Sequence, residues 1–537
     1  MTGKRRLFRG ARALLTVLAA LLVTATTLRA EPQPGAPVPG RPATEPGRTY
    51  VLPFDFAPPA RPLVVVRASL NGSEPLPFIV DTGVNRTLTL ARWAASEAGV
   101  KAGDRSEGKT FRVREASEPC VLRLVTEGSS GADGLRLNIA PAYVAESALP
   151  FEDYPTPGRA PGRIAGIIGV TLFGAAAAEF DFDQHTLTLH VGGGPPPPRA
   201  AENGDKEPRG VSLALVPVAG TKMPFLSAVP GEGAAAVPLL VDTGSTATVL
   251  PAKSLRAARG DRGHVLSSAE TGFTTVAGSA NRRAYLLDYL PLRGAADTSV
   301  DSSTSVRVPL LTVLEGPDEE EGVLGLDVLA RFRLWLDLPR GKIILYPRAA
   351  AFPVINGDAG VTLGRRNAER SYYAGAFSKD SLAEAAGLRA GDTLVSVDGT
   401  RLDDLPPWAA YRVLDGVAGT VARLTVQPSG KEPREVRFVR PGLFPNVLPL
   451  PDAGLVLVQE VTGTAAGSIR VVYVLPSSPA ARAGVSAGAQ LRKVDERTLT
   501  SVTPDEWRRI IEAAGGRSRL VFVSETGEEV TLTQRQD

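Results

Sequence analysis

Asp-Thr-Gly occurs twice in this chain, each time directly after an apolar run. Phe78-Ile79-Val80 precedes Asp81-Thr82-Gly83, and Leu239-Leu240-Val241 precedes Asp242-Thr243-Gly244. A strand that ends in a carboxylate, a hydroxyl and a glycine holds its acid rigidly in a tight turn. Two such turns brought together set two carboxyl groups side by side, where they share one proton. One then acts as base and the other as acid toward a water molecule.

The chain around each turn is also repeated. Gly166-Ile167-Ile168-Gly169 follows the first turn and Gly322-Val323-Leu324-Gly325 the second. From there the two segments align without a gap, through a short helical stretch (Val170–Ala178; Leu326–Leu334), an acid (Asp181; Asp337) and an alternating strand (Thr186–Leu189; Lys342–Leu345). Duplication of this kind predicts two similar β-rich lobes about a pseudo-two-fold axis that brings the acid turns together. A second duplication lies further on. Asp358-Ala359-Gly360-Val361-Thr362-Leu363 parallels Asp452-Ala453-Gly454-Leu455-Val456-Leu457, and Ser381–Gly387 parallels Ser478–Gly484. Each copy runs on to a glycine (Gly391; Gly488) and an alternating strand (Leu394–Val397; Leu491–Val494).

A length of 537 residues exceeds what one hydrophobic core serves and suggests three or four domains. The 55 glycines, 45 prolines and 6% aromatic content favour many short strands and turns. Lys4, Arg5, Arg6, Arg9 and Arg12 head an apolar stretch from Ala13 to Val23, and small residues lead to Ala30. Residues 1–30 read as an export signal, with an uncleaved anchor as the alternative and Arg5-Arg6-Leu7-Phe8 as a hint of twin-arginine export. No cysteine near the boundary offers a lipid anchor. Six of the 60 Lys and Arg residues lie in that leader, so the remainder, with 57 Asp and Glu, is weakly acidic and gives no sign of nucleic-acid binding. One cysteine, Cys120, permits no intrachain disulfide. With only His185, His190 and His264 beside it, neither a zinc site nor a histidine-based triad is expected. No Gly-x-Ser-x-Gly turn, His-Glu-x-x-His helix or phosphate-cradling loop is present. No cofactor or metal is expected.

The two Asp-Thr-Gly turns and the apolar-apolar-Gly elements Ile167-Ile168-Gly169 and Val323-Leu324-Gly325 resemble the aspartic proteases, of both the pepsin and the retropepsin type, over roughly residues 48–348. The resemblance implies Asp81 and Asp242 as the catalytic dyad, with Thr82, Gly83, Thr243, Gly244 and Ser245 supporting it. It implies two retropepsin-like halves fused in one chain, needing no second subunit. Val84 stands where Ser245 stands in the other half, which predicts one hydrogen bond fewer to Asp81. Gly272–Gly278 is the candidate substrate-covering flap of the second lobe, and Thr110–Val121 that of the first.

The Ser-x-Ala-x-x-Ala-Gly runs, Ser381 to Gly391 and Ser478 to Gly488, resemble bacterial exported PDZ domains. The second is the poorer match, with Ala489 and Glu496 in place of Asp and Gly. PDZ domains add an extended peptide to a sheet edge. The resemblance places carboxylate-binding loops at Gly360, Val361, Thr362 and Leu363, and at Gly454, Leu455, Val456 and Leu457.

The expected fold is mainly β: a bilobal acid-protease-like β-barrel pair followed by two small PDZ-like α+β domains. The expected boundaries are a signal peptide at 1–30, a Pro-rich tether at 31–47, lobe 1 at 48–192, a linker at 193–210, lobe 2 at 211–348, and PDZ-like units at 354–440 and 446–537. The expected partners are protein or peptide substrates, with a membrane only if the signal stays uncleaved. The expected location is the periplasm or the exterior. The alternative function is an inactive protease fold that binds peptides through its PDZ units.

Overall fold

The computed structural model describes residues 47–533, together with Leu18–Ala19, but not 108–110, 128–133, 150–151, 157–162, 193–209, 219–220, 222, 232–233, 260–263, 276–277, 296–304, 319–320, 349–353, 367–370, 379–380, 463–464, 500–505 and 507–518. Most of the leader, the tether and the tetraproline linker lie outside the described residues. Leu18–Ala19 pairs in parallel with Thr274–Thr275.

The protein is mainly β, and its first two thirds form two lobes of matching topology. In lobe 1 the strand Leu76–Asp81 runs parallel to Gly166–Gly169, which is antiparallel to Leu88–Leu90, which in turn is parallel to Tyr143–Ala145. In lobe 2, Val237–Val241, Gly322–Leu324, Thr248–Pro251 and Ser305–Gly316 repeat those relations in the same order. Helix Arg92–Glu97 and the hairpin of Ala102–Glu107 with Val113–Ala116 then match helix Ala252–Arg259 and the longer hairpin of Val265–Thr275 with Gly278–Arg293. Lobe 1 alone adds the hairpin Cys120–Leu124 and Leu135–Ile139 on the edge of Arg61–Leu70.

Six antiparallel strands join the lobes, with Ala176–Asp181 beside Phe332–Asp337 at the centre. Ala178 pairs with Leu336, Phe180 with Leu334, and Glu179 with Trp335. Ala178, Glu179 and Phe180 hold the places of Leu334, Trp335 and Leu336 in the duplicate, so the pseudo-two-fold axis passes through the Glu179–Trp335 pair. The expected helical stretches Val170–Ala178 and Leu326–Leu334 are shorter than read. They stop at Ala175 and Leu329, and the rest joins these central strands, whose residues are buried on both faces. A short run buried all round carries no period to tell helix from strand.

The remainder forms two α+β units with separate sheets. Their shared signature has a local cause. Ser381 and Ser478 cap short helices by accepting hydrogen bonds from Glu384 N (3.4 Å) and Ala481 N (3.2 Å). Ala383 and Ala480 are fully buried beneath them. Gly387 and Gly484 end the helices at φ +102° and +87°, a conformation that favours glycine. The first unit docks on lobe 1 through its longer helix, Pro407–Asp415. Trp408 stacks on Tyr154 and donates to Asp153 Oδ1 at 3.4 Å, and Arg412 donates to Pro59 O at 3.2 Å. The second unit docks on lobe 2. Val456 and Val458 share a buried cluster with Val249, Leu286 and Val323, and Asn446 exchanges hydrogen bonds with Ser267 and Leu266 O.

Candidate active site

Each acid turn leaves a buried strand and meets its duplicate at the lobe interface. Thr82 Oγ1 donates to Val241 O at 2.7 Å and accepts from Thr243 N at 3.0 Å. Thr243 Oγ1 donates to Val80 O at 2.8 Å and accepts from Thr82 N at 3.1 Å. Four buried bonds thus cross the axis in two equivalent pairs. Each hydroxyl is both donor and acceptor, a role only serine or threonine fills at this size.

Glycine is required on both sides. A Cβ on Gly83 would lie 2.5 Å from Asp242 Cγ, and one on Gly244 would lie 2.2 Å from Asp81 Cγ. Each carboxyl therefore rests over the other turn's glycine. Each is also anchored by its own turn, Asp81 Oδ1 accepting from Gly83 N and Asp242 Oδ1 from Gly244 N, both at 2.8 Å. The outer oxygens, Oδ2 of both acids, receive no hydrogen bond from a protein donor. Two carboxylates offer only acceptors to one another, and a single shared proton turns that meeting into a hydrogen bond.

Burial and the neighbouring acid explain the electrostatics. The Asp81 side lies 1% exposed and Asp242 is fully buried. Burial pushes Asp81 up to about 6, against the lowering effect of its hydrogen bond with Asp242 and of the Gly83 and Val84 amides. Asp242 is raised well above the ordinary carboxylate range, by burial first and then by the charge and hydrogen bond of Asp81. The two acids therefore titrate as one coupled pair that shares a proton, with both carboxyls raised above their ordinary range by burial.

Ser245 does not do what its position suggested. Its Oγ donates to Ala247 O at 2.8 Å and makes no bond to Asp242. Val84 and Ser245 instead use their amides equivalently, Val84 N donating to Asp81 O and Ser245 N to Asp242 O, both at 3.3 Å. The expected loss of a hydrogen bond at Val84 is therefore not found. The hydroxyl two residues from a free carbonyl has a closer partner than the carboxyl.

Behind the turns is a layer that motif reading missed. Asp327, half-buried, accepts from Thr248 N at 3.0 Å and Thr248 Oγ1 at 2.8 Å, and burial of its carboxyl pushes it up to about 6. Gly325 N donates to Thr248 Oγ1 at 3.3 Å, tying this pair to the strand behind Asp242. In lobe 1 the same places hold Thr87 and Thr171, whose hydroxyls meet at 2.7 Å. The acid two residues after Gly325 was the available signal.

The flap candidates fall on hairpins. Gly272–Gly278 spans the tip of the lobe 2 hairpin, with 276–277 outside the described residues. Thr110–Val121 takes in Phe111 and the returning strand Val113–Ala116 of the lobe 1 hairpin, with 108–110 outside the described residues. It then passes into the separate strand Cys120–Leu124.

Residues 66–172 match the family model described as aspartyl protease, and residues 375–428 match that of the PDZ domain. The chain carries an aspartyl protease domain and a PDZ domain. The aspartyl protease match spans the first acid turn and Gly166–Gly169; lobe 2 enters through the topology it shares with lobe 1. The PDZ match falls in the first α+β unit. No curated protein matches the chain. Among solved structures, the photosystem II D1 C-terminal processing protease is similar at 24% identity and a TM-score of 0.15, over 17% of this chain and 24% of that one. The chain thus spans about a quarter of that structure's length.

The expected peptide-binding residues behave differently in the two units. In the first, Gly360 (φ +65°) leads into the strand Val361–Arg366, which among the described residues pairs on one side only, with Ser371–Phe377. Thr362 Oγ1 is turned to that same partner, accepting from Ala376 N at 2.8 Å. In the second, Gly454 (φ +73°) leads into Leu455–Thr462, which pairs with Ala465–Val474 on one side and with Val447–Leu450 on the other. Leu455, Val456 and Leu457 are fully buried. The second unit therefore presents no open strand edge at the residues expected to bind peptide.

Proposed function

We propose that the chain is an exported aspartic endopeptidase with one active site formed by its two fused lobes. Asp81 acts as the base that draws a proton from water, and Asp242 as the acid that protonates the leaving nitrogen. This division of roles takes the more strongly raised member, Asp242, as the acid. The single observation that carries this reading is the crossing of the two turns, in which each carboxyl lies against the other turn's glycine. Rigid positioning of both acids is what general acid–base catalysis requires of a scaffold. The basic-then-apolar leader supports export to the periplasm or beyond. The PDZ domain supports capture of a protein or peptide substrate.

Burial of both acids favours a second reading, in which the fold is kept for peptide binding without hydrolysis. Incubation of residues 31–537 with casein across pH separates the two. The first reading predicts cleavage that either Asp81→Asn or Asp242→Asn abolishes and that a pepstatin-like transition-state mimic inhibits. Full activity in either single variant rules out a shared-proton dyad. Peptide binding with no cleavage by the parent chain supports the second reading.

A further inference from the structure

A β-strand has two hydrogen-bonding edges, and a strand-adding ligand needs one of them free. In the second α+β unit both edges of Leu455–Thr462 are taken within the protein. Val447, Leu448, Pro449 and Leu450 pair with Val458, Leu457, Val456 and Leu455, lying where an added strand would lie. In the first unit the corresponding segment goes elsewhere. Asn356 bridges to Val417 and Gly357 to Gly442, which leaves the Val361–Arg366 strand at the end of its sheet.

That free edge is held shut by one side chain. Tyr411, on the Pro407–Asp415 helix, accepts from Leu363 N at 3.1 Å and donates to Leu363 O at 2.8 Å. These are two of the backbone groups that an incoming strand would use, at the middle of the edge. One turn on, Asp415 reaches the loop that precedes the strand and accepts from Ala359 N at 3.1 Å. Asp358 accepts from the next amide, Gly360 N, at 2.9 Å. Gly360 N, at the start of the expected carboxylate loop, and Ala359 N just before it are therefore spent on the protein's own acids. Arg440, beside Asp415, is committed to Leu414 O, Thr420 Oγ1 and Asp398. A chain terminus brought there would find both of these amides already engaged and would lie beside the carboxyl groups of Asp358 and Asp415.

We propose that the first unit alone receives a polypeptide strand, that Tyr411 gates it, and that it takes internal extended segments of an unfolded chain rather than carboxyl termini. This rests on the peptide-handling reading above and narrows it to one module and one class of ligand. The occupant is set by complementarity: main-chain amide and carbonyl groups for Leu363, and no terminal charge at the Asp358–Asp415 end.

The test uses the full chain with Asp81→Asn, so that bound peptide is not cleaved, and a random nine-residue peptide library made once as C-terminal amides and once as free acids. Retention of the amides at least equal to that of the acids is expected, with hydrogen exchange slowed over 361–366 and unchanged over 455–462. Tyr411→Phe, which frees both Leu363 groups, is expected to tighten retention about fivefold, the effect of removing roughly one net competing hydrogen bond. Preference for the free acids, protection over 455–462, unchanged or weaker retention in Tyr411→Phe, or no retention at all each overturns the proposal. Cleavage of casein by the parent chain tests the catalytic reading separately, so failure of one is not failure of the other.

Discussion

Thr82→Val gives the sharpest test of the crossed turns. Valine keeps the volume and branching of threonine and removes only the hydroxyl. Two groups lose their partner, the carbonyl of Val241 and the amide of Thr243, in a place where Thr82 and Thr243 are fully buried. An orphaned buried polar group costs about 1–3 kcal/mol, so the loss of two partners is expected to destabilise the lobe pair by roughly 2–6 kcal/mol. Thr243→Val breaks the other two bonds and is expected to cost about as much. Thr82→Ser retains both bonds and loses one methyl group, worth about 1 kcal/mol. Urea midpoints followed by tryptophan fluorescence measure stability, and casein cleavage measures kcat. The expected pattern is a large loss of both in Thr82→Val and near-complete recovery of kcat in Thr82→Ser. If Thr82→Val stays within about 0.5 kcal/mol of the parent, as an ordinary surface change does, or if serine is as damaging as valine, the crossed bonds do not hold the acids in place.

Three further outcomes follow from the same geometry. The acid limb of the kcat/KM profile is expected near pH 6, where Asp81 gains a proton and ceases to be a base; a profile still rising below pH 4 contradicts it. Because Asp81 is raised in the folded state, the native protein binds more protons than the unfolded chain between the ordinary carboxylate pKa of about 4 and the folded value, so stability falls as pH rises through that window and stays lower above it. Asp81→Asn removes that loss and is expected to raise Tm over the parent at pH 8, with the gain vanishing near pH 4; calorimetry at the two pH values measures it. Asp327→Ala leaves Thr248 N and Oγ1 without their partner and is expected to cost about 1–3 kcal/mol in urea melts, whereas Thr171→Ala, at the exposed counterpart, is expected to cost under about 1 kcal/mol.

The parts of this molecule that were legible in its sequence are those whose chemistry is local. An apolar strand ending in Asp-Thr-Gly, a glycine that passes close behind it, and a serine three residues before the amide it caps each declare themselves within a few positions. What escaped depends on contacts distant in the chain. Asp327, on a short helix, meets Thr248 at the start of a strand 79 residues away, and nothing near either residue announces the other. Tyr411 reads as one more residue of an amphipathic helix until the fold sets it against Leu363. Val447-Leu448-Pro449-Leu450 carries no strand signal of its own, because proline lacks the N–H of a strand interior. It is tolerated here because the strand forms the sheet's outer edge, where the missing donor faces no neighbour. Ser245 misled for the opposite reason: a local competitor, Ala247 O, satisfied a hydroxyl that motif logic assigned to the acid.

Fusion of the two halves explains why the lobes are alike at the acid turns and unlike just beneath them. On a true two-fold axis between identical subunits, a self-paired position carries the same residue on both sides. Glu179 would face a second glutamate, two like charges buried together, or Trp335 a second tryptophan. In one chain the two sides are free to differ, and they do. Glu179 faces Trp335. Arg333, in the place that Ala177 holds in lobe 1, donates to Glu179 at 2.7 Å, and His190 meets the same carboxyl at 3.2 Å while its ring lies 4.5 Å from that of Trp335. A buried charge with fixed partners is tolerated where an unpaired one is not. The crossed threonines keep the symmetry because each hydroxyl needs the other turn's backbone. The central sheet needs only a filled interface, so it has lost the symmetry, and Thr87–Thr171 against Thr248–Asp327 shows that divergence reaching the layer directly behind the dyad.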